Sequence, residues 1–212
     1  MFKTKAGIAA LLTLALAGCA SDGDITSEGI LVTRSACPAV AIPAATGDVT
    51  LFNPTNSRDA NAIDVVATIT NVRTTCDETG EYIVSNVTFD VLGQRRDARG
   101  AREVVLPYFA TVVQGGTNVV SKRVNRVGLN FADGQLRAST SGTATGYVLR
   151  SAATLPEAIR KQITRERKSG DPDAALDPMA DPAVRTAVTR ASFELLVGFQ
   201  LTEDQLRYNA TR

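Results

Sequence analysis

The chain of 212 residues contains no histidine, so it lacks the usual side chain for proton transfer near neutral pH. That absence removes Ser-His-Asp and Cys-His nucleophile arrangements, most zinc sites and histidine-ligated haem. No G-x-S-x-G elbow, S-x-x-K sequence or phosphate loop occurs either. Ser121 and Lys122 are the nearest approach to a Ser-Lys dyad, but they fall in a predicted strand, where neighbouring side chains point to opposite faces. Paired carboxylates for glycoside hydrolysis would have to be held about 5 to 10 Å apart. The aromatic platforms that usually line such clefts are scarce here, with no tryptophan and 5% aromatic residues. Asp171, Asp173, Asp177 and Asp181 suggest an oxygen-rich calcium loop, yet they lack the central glycine and terminal glutamate of an EF-hand. Turn and cap duty in the Asp-Pro pairs explains them more simply. The expectation is a protein that is not an enzyme and holds no metal or other cofactor.

Charge narrows the partners. With 23 basic and 22 acidic residues the chain is near neutral, which argues against nucleic acid. Arginines gather at Arg95, Arg96, Arg99 and Arg102, where the expectation is a solvated loop between strands. A contact with anionic lipid or sugar phosphate is the alternative. Asn86-Val87-Thr88 matches a glycosylation sequon, and we treat that match as chance.

The elements that must position these groups are mostly strands. Ile63 to Val72 is rich in β-branched residues, and Ile83, Ser85, Val87, Phe89 and Val91 alternate with mainly polar neighbours, the pattern of a half-buried strand. A third strand runs from Glu103 to Val113, and Pro107 within it implies a sheet edge or a bulge. Val127, Leu129 and Phe131 alternate before the turn signal Asp133-Gly134, and a return strand of small residues follows to Val148. Helical texture then appears, from Glu157 to Lys168 and from Asp181, with Pro182 at the first helical position, to about Arg190. Phe193, Leu195, Val197, Phe199 and Leu201 fit a last strand better than a helix, which would place Gly198 in its interior. Thr202 to Gln205 matches a capping box opening a short terminal helix. The expected fold is mainly β, an immunoglobulin-like β-sandwich with a helical insertion at about 155–190 before the last strand and a short C-terminal helix.

The amino-terminus carries a different signal. Lys3 and Lys5 precede an apolar run from Ala6 to Leu16, too short for a spanning helix of about twenty residues. Small residues then lead to Cys19, as in a secretory signal. Leu16-Ala17-Gly18-Cys19 resembles the lipobox of bacterial lipoproteins. The resemblance implies cleavage before Cys19, a diacylglycerol on its sulfur and an acylated amino group. Ala20 in the next position implies sorting to the outer membrane. The expected organisation is a signal peptide at 1–18, a flexible tether at 19–29 and one domain at 30–212.

Lipidation of Cys19 would leave Cys37 and Cys76. An even pair in an oxidising exported compartment is expected to form a disulfide. Closing a loop of about forty residues would stabilise the fold by about 4 kcal/mol in the chain-entropy model. No C-x-x-C spacing supports a metal or redox pair instead. The functional expectation is an outer-membrane-anchored, non-catalytic accessory or structural subunit of an envelope complex. The same expectation places its domain in the periplasm, held by membrane lipid and binding another envelope protein. Pro107, Tyr108 and Phe109 are the candidate partner edge, by strand addition. A periplasmic module for lipid, glycan or peptidoglycan is the alternative.

Overall fold

A computed structural model of the chain describes residues 24–26, 29–31, 35–165, 170, 172 and 176–211. The expected signal peptide, Cys19 with the lipobox, and Asp171 and Asp173 lie outside the described residues, as does part of the expected tether. The chain divides into two units, residues 1–34 and 35–212. In the first, β1 (Asp24–Thr26) runs antiparallel to β2 (Gly29–Leu31), with Ile25 opposite Ile30.

The second unit is a β-sandwich of two four-stranded sheets. In chain order its strands are β3 (Ala39–Ala41), β4 (Asp48–Phe52), β5 (Ile63–Asp77), β6 (Tyr82–Arg95), β7 (Arg102–Gln114), β8 (Asn118–Phe131), β9 (Arg137–Leu149) and β10 (Phe193–Phe199). One sheet has the order β3-β10-β7-β8, with β3 parallel to β10 and the other pairs antiparallel. The other is an antiparallel β4-β5-β6-β9. A meander β4 to β6 thus crosses over to the β7-β8 hairpin, and the chain returns to place β9 beside β6. Short helices α1 (Arg150–Ala153), α2 (Glu157–Thr164) and α3 (Pro182–Arg190) then lead to β10, and α4 (Glu203–Thr211) closes the unit. The helical insertion, the last strand and the terminal helix fall where the residue pattern places them.

Period-two alternation explains the core. Ile83, Ser85, Val87, Phe89 and Val91 of β6 point inward and are buried. Facing them are Val104, Leu106, Tyr108, Ala110 and Val112 of β7, with Leu195, Val197 and Phe199 of β10. Burying each such aliphatic or phenyl side chain is worth about 1.5–3 kcal/mol. The small residues of β9 make room for larger partners. A Cβ on Gly142 would lie 2.3 Å from the tip of the Phe89 ring, so that ring occupies the space.

Local signals set the helix starts. Asp181 accepts a hydrogen bond from the Ala183 amide at 2.8 Å, and Pro182 takes the first helical position of α3. Thr202 and Gln205 form the reciprocal capping box of α4: the Thr202 amide donates to Gln205 Oε1 at 2.9 Å, and the Gln205 amide to Thr202 Oγ1 at 3.3 Å.

The Pro107 strand departs from expectation. Strand β7 is flanked by β10 on one side and β8 on the other, so Pro107, Tyr108 and Phe109 lie inside the sheet. The bulge in this ladder sits between Val112 and Val113, away from Pro107. The Gln200 amide donates to the Pro107 carbonyl at 2.9 Å, which shows that the main-chain polar groups of Pro107 point toward β10. Strand β10 ends at Phe199, so the missing proline N–H falls one residue beyond the strand. A proline is tolerated there without either an edge or a bulge.

Candidate functional site

The two ends of the sandwich hold different groups. The Cys37–Cys76 disulfide joins the approach to β3 to the last turn of β5, with Cα atoms 6.2 Å apart. At the same end lie the β7-β8 turn, the end of β9 and the helical insertion. The opposite end carries the loops after β6 and β8.

Cys37, Cys76 and Glu78 place their ligand atoms within 4.8 Å of one another. Both sulfurs are committed to the disulfide, and metal binding by cysteine needs thiolate. Glu78 Oε1 accepts a 2.6 Å hydrogen bond from the Ser35 hydroxyl and rests 2.9 Å from Cys37 Sγ, which has no proton to donate. This cluster staples the chain entry to β5.

The arginine group divides by burial. Arg96 and Arg99 are exposed, as expected of a solvated loop, but Arg95 is buried, with 2% of its surface accessible. Its Nε donates to the Gln135 carbonyl at 2.7 Å, Nη1 to Gly100 at 2.8 Å, and Nη2 to Ala98 at 2.7 Å and Ala132 at 2.9 Å. The guanidinium lies 5.3 Å from the Phe131 ring centroid. One cation therefore binds both loops of that end through main-chain carbonyls. Arg102 meets Asp64 in a two-pronged pair at 2.8 and 2.7 Å.

Nearby, a cleft of about 610 Å³ opens between β4 and α4, lined by Thr50, Phe52, Arg58, Arg102 and Tyr208. Its cations are engaged. Arg102 holds Asp64, while Arg58 donates to the Thr55 and Ser57 carbonyls and sits 3.9 Å from Asp204. Among the described residues, the carboxylates that depart from their ordinary range all move down. Asp97 is held at about 2, chiefly by side-chain hydrogen bonds from Arg99 and then by the Arg99 amide. Asp77, Asp90 and Asp181 are lowered by donors of Thr79, of Asn71 and Ser141, and of Ala183 and Gln162. Such groups are ionised acceptors at neutral pH, the reverse of what a general acid requires. Asp177 accepts from the Met179 amide, so both described aspartates of the Asp-Pro series serve as caps. Ser121 and Lys122 diverge as expected: Lys122 Nζ lies 5.2 Å from the centroid of the Phe109 ring, and Ser121 is paired with Val112, whose side chain faces inward.

What residue patterns did not single out is the first half of β8. Residues 118–126 are all exposed, although β7 beside them is largely buried. The register fixes their geometry. Because Pro107 directs its main-chain groups to β10, so do Phe109 and Thr111, and their β8 partners Arg126, Val124 and Lys122 direct theirs away from β7. No described strand pairs with that side of β8, which is the sheet edge. Val119 and Val124 are 59% and 53% exposed. The signal was present in Asn118 to Arg126, where Lys122, Arg123 and Arg126 occupy both faces and leave neither face apolar.

Among the described residues no helix is long and apolar enough to cross a membrane. Comparison with protein-family models, curated proteins and solved structures finds no match to the chain.

Proposed function

We propose that the protein is an outer-membrane lipoprotein, anchored through acyl chains on Cys19, whose periplasmic sandwich is a non-catalytic accessory or structural subunit of an envelope complex. The observation that carries the binding part of this reading is the exposed β8 edge, nine residues that contribute little to the core yet continue the ladder. Free strand edges are usually shortened, covered or blocked. This edge is long and uncovered by any described strand; its Lys122, Arg123 and Arg126 deter pairing with a like-charged strand and suit it to docking an oppositely charged one by strand addition. The anchoring part rests on Leu16-Ala17-Gly18-Cys19 and the apolar run before it. Capture of the native protein from membranes in mild detergent, with intact-mass analysis of the bait, tests both parts. Cleavage before Cys19 with added acyl chains and one stoichiometric envelope partner is the expected result. An unlipidated bait overturns the anchor, and a lipidated monomer without a partner overturns the accessory role.

A glycan-binding reading is favoured by one other feature. The outer face of β6-β9 presents Thr88, Thr143 and Thr145 along the same two strands as two exposed tyrosines, Tyr82 and Tyr147. Retention of the protein on insoluble peptidoglycan, lost with Tyr82→Ala and Tyr147→Ala together, would support it over the accessory role.

A further inference from the structure

We infer that the β8 edge takes an extended, acidic segment of a partner protein as a fifth strand, with acidic, apolar and acidic side chains at alternate positions opposite Lys122, Val124 and Arg126. This inference rests on the accessory-subunit reading and specifies its partner. The same three residues supply both kinds of recognition. Their amides and carbonyls point to the open edge, giving an added strand its main-chain hydrogen bonds. Their side chains share the outer face of the sheet with Pro107, Phe109 and Thr111, so an incoming strand places every second residue beside them. Lys122 and Arg126 then attract carboxylates, and Val124 an apolar side chain. On the other face Arg123, 5.5 Å from the Tyr147 ring centroid, adds a third cation.

Two other occupants fit less well. A second copy pairing antiparallel about Val124 would set Lys122 opposite Arg126, a like-charge contact repeated on both sides of the axis. A bilayer would leave the edge amides and carbonyls without partners in hydrocarbon. The cations of this strand therefore disfavour self-pairing centred on Val124 and favour an acidic chain, whose backbone satisfies the edge.

The probe is a blocked synthetic peptide with glutamate, valine and glutamate at every second position and threonine between, titrated into the isotope-labelled protein. A matched peptide with lysine for glutamate is the control. The acidic peptide should shift the amide resonances of Lys122, Val124 and Arg126, and the lysine peptide should bind about tenfold more weakly. Lys122→Glu with Arg126→Glu should reverse that preference. Val124→Pro deletes one edge donor, leaves the bonds to β7 intact and should abolish binding of both peptides. Equal binding of the two peptides, no change at residues 122–126, or full binding to the Val124→Pro variant overturns the inference. Flotation with anionic phospholipid vesicles that depends on Lys122 and Arg126, without peptide binding, overturns it in favour of lipid. If a native partner is captured equally by wild type and Val124→Pro, the accessory role stands and the edge assignment falls. If the peptide binds as expected but no native partner is captured, the edge assignment stands and the accessory role falls.

Discussion

The Tyr108 hydroxyl donates a 2.6 Å hydrogen bond to the main-chain carbonyl of Thr143, tying the central strand β7 of one sheet to the edge strand β9 of the other. The same ring meets Phe89 edge-on, with centroids 5.1 Å apart, so its apolar body and polar tip are both used between the sheets. Tyr108→Phe keeps the stacking and removes only the hydroxyl. It is expected to cost about 1–2 kcal/mol, because a half-buried carbonyl loses its donor. Denaturant unfolding measures the loss, and a change under about 0.3 kcal/mol would show that water replaces the hydroxyl there.

Arg95 should be among the least replaceable residues of the sandwich. Four loop carbonyls converge on its guanidinium, and lysine offers a point charge in place of the planar fork. Arg95→Lys is expected to destabilise by about 2–4 kcal/mol, since carbonyls are left unpaired around a buried charge. Arg99→Ala, at an exposed pair with Asp97, should change stability by no more than about 0.5 kcal/mol. Equal effects of the two substitutions in chemical denaturation would contradict the buried-pin account.

Residues whose partners are near in sequence were legible from it, and Arg95 was not. The alternation of Ile83 to Val91 was legible because apolar residues recur at every second position, and their period carries the polar Ser85 to the buried face with them. The caps at Asp181 and Thr202 were legible because their partners lie within three residues. The ligands of Arg95 come from residues 98, 100, 132 and 135, and only the closure of β6 onto β9 brings those loops together. Pro107 misled for a related reason. A proline announces a missing N–H, but not whether that N–H would meet a strand or the space just past its end. The open edge at Lys122 to Arg126 needed the complete strand order, because an edge is defined by the strand that is absent beside it.

The disulfide has a long reach in sequence, Cys37 and Cys76 lying 39 positions apart. It holds the approach to β3, a strand of only three residues that pairs with β10 alone. Replacing both cysteines by serine is expected to cost about 2–4 kcal/mol. Hydrogen exchange should show the loss concentrated at residues 35–41, with β6 and β7 keeping their protection. Uniform loss across the sandwich would mean that the disulfide supports the whole core and not the chain entry alone.

Acid should weaken the fold below about pH 4. Asp77, Asp90, Asp97 and Asp181 each have a folded pKa below the ordinary 3.8, and Asp97 is held at about 2. A lowered folded value means that the unfolded chain binds the proton more readily. The stabilisation is therefore present above about pH 4 and fades as the pH falls through the folded values toward 2. Asp77 and Asp97 are exposed and Asp90 and Asp181 only partly covered, so solvent and salt reduce the effect, and high ionic strength should shrink it further for the Arg99-paired Asp97. Denaturant midpoints are expected to fall between pH 4 and pH 2 in the wild type and to fall less when all four aspartates are replaced by alanine. An undiminished acid slope in that variant would place the responsible carboxylates elsewhere in the chain.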